Sequence, residues 1–169
     1  MTVRIVLAFT FGLFLSLPAN AQDLLGTVTG TVGDQPASWS IHAAEGHSSP
    51  GVWINMGPGM DGVTFFAKSD EATESDVLNL SFGVMQATGT MILFNAEGYY
   101  RRGDPATAYS APTDEGIAYT LTLVEEVAGG LHVQGSFSGD FFLTSNSGEV
   151  DKSQSVAIAG TFDVVVPPN

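Results

Sequence analysis

The chain has 169 residues, 18 acidic against 5 basic side chains for a net charge of −13, 44% hydrophobic residues and no cysteine. That charge repels a phosphate backbone, so nucleic acid is excluded as a partner. The missing cysteines exclude a disulfide framework, thiolate catalysis, cysteine-built zinc and an acylated cysteine anchor.

In chain order, the first element is an export signal. Arg4 precedes the apolar run Ile5 to Leu17, and Pro18 with Ala19-Asn20-Ala21 supplies a helix break and a small-x-small cleavage site. The run is shorter than the roughly 20 residues of a membrane span, and no later stretch approaches it. Residues 1–21 are therefore read as a cleaved signal peptide and residues 22–169 as a single domain of 148 residues, long enough for a real core. Lys68, Arg101, Arg102 and Lys152 then face 18 acids, a charge of −14. The expected destination is the periplasm or the cell exterior, with no membrane span after cleavage.

Leu24 to Val32 alternates Val28, Gly30 and Val32 against threonines, and after the turn Gly33-Asp34-Gln35-Pro36 the run Ser38 to Ala43 places Trp39 and Ile41 on one side. These two runs predict a hairpin. Glu45 to Gly51 reads as loop, Val52, Ile54 and Met56 share a parity, and Gly57 to Gly62 reads as a turn before the apolar run Val63 to Ala67. Lys68 to Asp76 carries Asp70, Glu71, Glu74 and Asp76 and reads as a solvated acidic loop. Leu78, Leu80 and Phe82 alternate with Asn79 and Ser81, and Thr90 to Asn95 is apolar on both faces. From Ala96 to Gly116, five residues that are glycine or proline break every period, which predicts the longest irregular segment. Ile117 to Val127 alternates again.

The clearest signal lies in two long runs near the C-terminus. Leu131, Val133, Gly135, Phe137, Gly139, Phe141 and Leu143 share one parity, as do Val156, Ile158, Gly160, Phe162, Val164 and Val166. Period-two patterning of this length predicts half-buried strands, and the echo of Gly135-Ser136-Phe137 in Gly160-Thr161-Phe162 predicts two aromatics in one core, each beside a glycine that marks close approach. The whole pattern predicts an all-β fold, an antiparallel β-sandwich of about nine or ten strands, with a small closed β-barrel as the alternative.

The opening glycine-rich strand, Ala37-Ser38-Trp39, Gly135-Ser136-Phe137-Ser138 and the closing Gly160-Thr161-Phe162-Asp163-Val164 resemble, in layout, small exported bacterial β-domains of uncharacterised activity that end in a Gly-x-Phe-Asp-Val strand. The resemblance implies a sandwich-like fold and transfers no activity.

Gly57-x-Gly59-x-x-Gly62 spells the dinucleotide fingerprint, but Pro58 lies inside it and strand-like Val63 to Phe66 follows where a helix must begin. Gly135 to Gly139 has Phe137 where a nucleophile elbow needs serine. His42 and His132 fall on polar parities and His47 in a loop, and the adjacent pairs Asp114-Glu115 and Glu125-Glu126 face opposite ways on strands, so no catalytic residue is assigned. The acidic loop lacks the alternating ligand pattern of a calcium loop, so no metal ligand and no cofactor is assigned. Arg102-Gly103-Asp104 and Asn79-Leu80-Ser81 match adhesion and glycosylation tripeptides too short to carry weight. What remains is the irregular segment. Tyr99, Tyr100, Arg101, Arg102 and Tyr109 concentrate there three of four tyrosines and two of the four cations left after cleavage, the residue types in which binding energy gathers. They are the candidate surface for an unknown protein partner or small ligand. An apolar-ligand carrier and an exported hydrolase are the other readings.

Overall fold

A computed structural model describes residues 23–43, 51–69, 76–87, 89–103, 107–113, 116–145 and 147–169. These form ten strands: β1 Leu24–Val32, β2 Gln35–His42, β3 Gly51–Gly57, β4 Met60–Ser69, β5 Val77–Ala87, β6 Thr90–Arg101, β7 Ala108–Ala111, β8 Ile117–Val127, β9 Gly130–Thr144 and β10 Val150–Val166. The expected all-β antiparallel fold is the fold found. All ten strands belong to one sheet ordered β10-β1-β2-β4-β5-β6-β7-β9-β8, and β9 also pairs with β10. Hydrogen bonding therefore runs round a ring of eight strands, with β3 and β8 attached at β4 and β9. Side chains of β4 and β5 meet those of β8 and β10 across the interior, as in a sandwich, while the backbone bonding continues round the edge.

The two C-terminal runs pair along almost their whole length. In that register Phe137 stands opposite Gly160 and Phe162 opposite Gly135, so each ring lies over the other strand's glycine. A Cβ built on Gly135 would come within 2.9 Å of the Phe162 ring, and one on Gly160 within 3.1 Å of the Phe137 ring. The repeated Gly-x-Phe is thus an interlock. Phe162 goes on to meet Phe65 at 5.4 Å between ring centres, Phe82 at 6.1 Å and Tyr119 at 6.4 Å. These rings, with Val28, Ile41, Val63, Leu78, Leu80, Val133, Ile158 and Val164, make one buried core. Apolar area removed from water at about 25 cal/mol per Å² is what holds the cysteine-free chain together.

The segment expected to be irregular from Ala96 to Gly116 is in part strand. Its first part continues β6 to Arg101, and Ala108–Ala111 is β7, which pairs with both β6 and β9. Two features hid it. Gly98 is a packing position over which the Phe141 ring lies, and Asn95, with φ of 51°, sits at a bulge where the β5–β6 register shifts. The inward residues run Leu93, then Ala96, Gly98 and Tyr100, a phase slip of one residue that erases the period. A slip at the β8 bulge has the same effect, moving the inward set from Leu121 to Val124.

Gly57 and Gly59 have positive φ and bracket the β3–β4 hairpin turn, which is the structural use of the fingerprint-like spelling.

Candidate functional site

At one end of the ring, among the described residues, β2 pairs with β4 at Trp39 opposite Ser69 and Ser40 opposite Lys68. A pocket of about 280 Å³ opens there, walled by the β1–β2 hairpin, the end of β4, Asp76 ahead of β5, and Tyr100 and Arg102 at the end of β6.

The floor of this mouth is aromatic and its polar groups are buried. Trp39 is 1% exposed and packs edge-on against Tyr100, ring centres 6.5 Å apart. The Tyr100 hydroxyl donates to Asp76 Oδ2 at 2.9 Å, and Arg102 Nε stands 3.8 Å from the same oxygen. The Asp76 backbone is fixed as well, since its carbonyl accepts from the Ser69 N–H at 3.0 Å. Two buried polar atoms of the pocket-lining residues have no hydrogen-bond partner: the Trp39 indole Nε1, a donor, and Asp76 Oδ1, an acceptor. Asp76 is 9% exposed. The end of the expected acidic loop is therefore buried carboxylate and not solvated charge, because Asp76 continues the inward parity of Leu78 and Leu80. Asp70, Glu71, Glu74, His47, Asp104, Asp114 and Glu115 lie outside the described residues.

The five residues singled out in the sequence divide between faces. Tyr100 and Arg102 line the mouth. Tyr109 pairs with Tyr100 across β6–β7 and stacks beside it at 6.4 Å. Tyr99 and Arg101, on the other parity, face outward; Tyr99 is exposed, and Arg101 is half-buried with a buried Nε lacking a hydrogen-bond partner. Trp39 and Asp76 were not among the five. A charged residue in phase with an inward run was the signal available for Asp76; Trp39 reads as core, and it is core at the floor of the pocket.

Elsewhere, His132 on the outer face of β9 has Nε2 2.8 Å from Asp163 Oδ1 and Nδ1 3.6 Å from Glu125 Oε1, and Gln134 Nε2 donates to Asp163 Oδ2 at 2.9 Å. This is a cross-strand surface network, and no serine joins it by a described hydrogen bond. His42 is exposed on β2. Among the described residues no group of three or more His, Asp or Glu is placed to hold a metal ion, and no helix is long and apolar enough to cross a membrane. Tyr119 is buried with its hydroxyl donating to the Glu97 carbonyl at 2.7 Å, and burial pushes its phenol pKa well up. It is a packing group with a satisfied hydroxyl, unsuited to proton transfer near neutrality.

No protein-family model matches this sequence, and neither a curated protein nor a solved structure was found to match it.

Proposed function

We propose that the chain is an exported, non-catalytic β-domain that binds a compact hydroxyl-bearing ligand in the mouth beside Trp39. One observation carries the reading: Trp39 and Asp76 line the same pocket, and each carries a buried polar atom without a hydrogen-bond partner, the donor Nε1 and the acceptor Oδ1. Each buried polar atom left unmade costs about 1–3 kcal/mol, so the site favours whatever supplies both bonds. A hydroxyl group both donates and accepts. An ammonium group has no acceptor for the indole N–H, and Arg102 beside Asp76 opposes a second cation. A carboxylate cannot donate to Asp76. The volume, at the small end of ligand pockets, fits a small polyol or a single sugar ring. The interior, filled by Phe65, Phe82, Tyr119, Phe137 and Phe162, gives the apolar-carrier alternative less to rest on.

The test is a titration of the purified chain with a panel of monosaccharides and polyols, following the Trp39 indole N–H resonance. At least one member is expected to move it saturably, with Asp76→Asn and Trp39→Phe each weakening binding about tenfold, the order of one hydrogen bond to a charged group. A panel that leaves the resonance unmoved overturns the reading. Export is tested by the N-terminal sequence of the protein recovered outside the cytoplasm, expected to begin at Gln22.

A further inference from the structure

Apart from Met1, every methionine of the chain, Met56, Met60, Met85 and Met91, lies on the strands β3 to β6. Three of them share one patch of the outer surface. Met60 of β4 and Met85 of β5 are direct cross-strand partners, which sets their Cβ atoms about 4.5–5.5 Å apart on one face. The face is the outer one, because Asp61, Val63 and Phe65 of β4 and Phe82 and Val84 of β5 take the inward parity. Met56 comes from β3. Its Sδ lies 3.8 Å, and its Cε 3.5 Å, from where a Cβ of Gly62 would stand, and Gly62 is the next outward position after Met60, roughly 7 Å along the strand. Gly62 is opposite Gly83. The Phe94 ring lies over Gly83 and the Met56 thioether over Gly62, beside the Met60–Met85 pair.

Packing alone does not account for the choice of residue. Methionine fills irregular gaps in cores, but Met56 is 46% exposed, and Met60 and Met85 are only half-buried. A thioether is a neutral, soft ligand that prefers copper(I)-like cations and has little affinity for magnesium, calcium or manganese. The net charge of −13 adds a field that raises the local concentration of any cation.

We propose that Met56, Met60 and Met85 form a three-thioether site on the outer face of β3–β4–β5 for a soft monovalent cation of the copper(I)/silver(I) class. Met91 is the internal control. Its backbone partner is Gln86, on the parity opposite to Met85, so it belongs to the same strands but not to the same face.

The experiment uses the folded full chain with ¹³C-labelled methionine methyl groups, titrated with silver nitrate in chloride-free buffer, then with copper(I) under anaerobic conditions. Saturation at one equivalent is expected, moving the methyl signals of Met56, Met60 and Met85 while Met91 stays in place. Met60→Leu and Met85→Leu keep volume and hydrophobicity, so the fold should persist by circular dichroism, and each should weaken silver binding by at least the roughly 10- to 100-fold seen on losing a supporting contact at a metal site. Met91→Leu should leave affinity unchanged. The proposal is overturned if silver moves no methyl signal at one equivalent, if all four signals move together, or if both leucine variants bind as the parent does.

Discussion

The side built from β1, β2, β8, β9 and β10 and the side built from β3 to β6 line one core, yet their outer surfaces differ: the first carries a long row of hydroxyls, the second exposed apolar side chains around the Thr64–Ser81 hydroxyl pair. On the first, Ser38, Thr29, Thr161, Ser136 and Thr120 stand in register across five neighbouring strands, a row of hydroxyls that includes a Thr29–Thr161 bond of 3.2 Å. On the second, Ile54, Met56, Phe66 and Ile92 are exposed and Met60, Met85 and Phe94 half-buried. Strands with a polar outer face carry a clean period of two. Strands apolar on both faces do not, and there the same backbone is hard to read. Glycines on both sides lie under rings, Gly135 and Gly160 under Phe162 and Phe137, Gly98 and Gly83 under Phe141 and Phe94, whereas Gly62 is in ordinary contact with the Met56 side chain.

The largest test sets an inner ring against an outer one. Phe162→Ala should cost about 3–5 kcal/mol in denaturant unfolding, because the ring is buried among Phe65, Phe82 and Tyr119. Phe66→Ala on the outer face, 41% exposed, should cost under about 1 kcal/mol. Equal costs would mean that the outer apolar stripe is itself covered. Next come the glycines. Gly135→Ala forces a Cβ to 2.5 Å from the Thr120 carbonyl oxygen and into the Phe162 ring, and should cost about 1–3 kcal/mol as overpacking. Gly62→Ala meets nothing closer than 3.5 Å, the Met56 methyl, and should be close to neutral in unfolding.

Smaller effects follow from ionisation. Because burial raises the Tyr119 phenol, the unfolded chain loses that proton first, near the ordinary tyrosine value of about 10. Stability is therefore full below that pH and declines as pH rises above it, since the unfolded state then binds fewer protons than the folded one. Tyr119→Phe should remove this part of the alkaline decline, seen as a shallower fall of the unfolding midpoint above that pH. The smallest effect is at Asp151, on the exposed bulge of β10. Hydrogen bonds from the Ser153 hydroxyl and N–H and from Gln154 hold its carboxyl below the usual value of 3.8. The local turn should stay ordered above that value and loosen only as pH falls through the lowered one. The Ser153 amide resonance reads this directly, with the global unfolding midpoint unchanged by Asp151→Asn.

The sequence by itself determined the all-β class, the number of strands, the inward sets of β9 and β10, and the pairing of a glycine with an aromatic in each, because alternation is a local property that survives without knowing the neighbours. It missed most of what lies between Ala96 and Gly116. A bulge at Asn95 shifts the phase by one residue, and Gly98 is a strand residue under the Phe141 ring that in sequence is indistinguishable from a breaker. Only the tertiary structure decided that the sheet closes through β9–β10, and that Tyr100 and Arg102 meet Trp39 and Asp76 while Tyr99 and Arg101 face away. Those juxtapositions join residues up to 63 positions apart, from Trp39 to Arg102. They depend on strand pairing between distant segments, which leaves no mark on the local pattern of either.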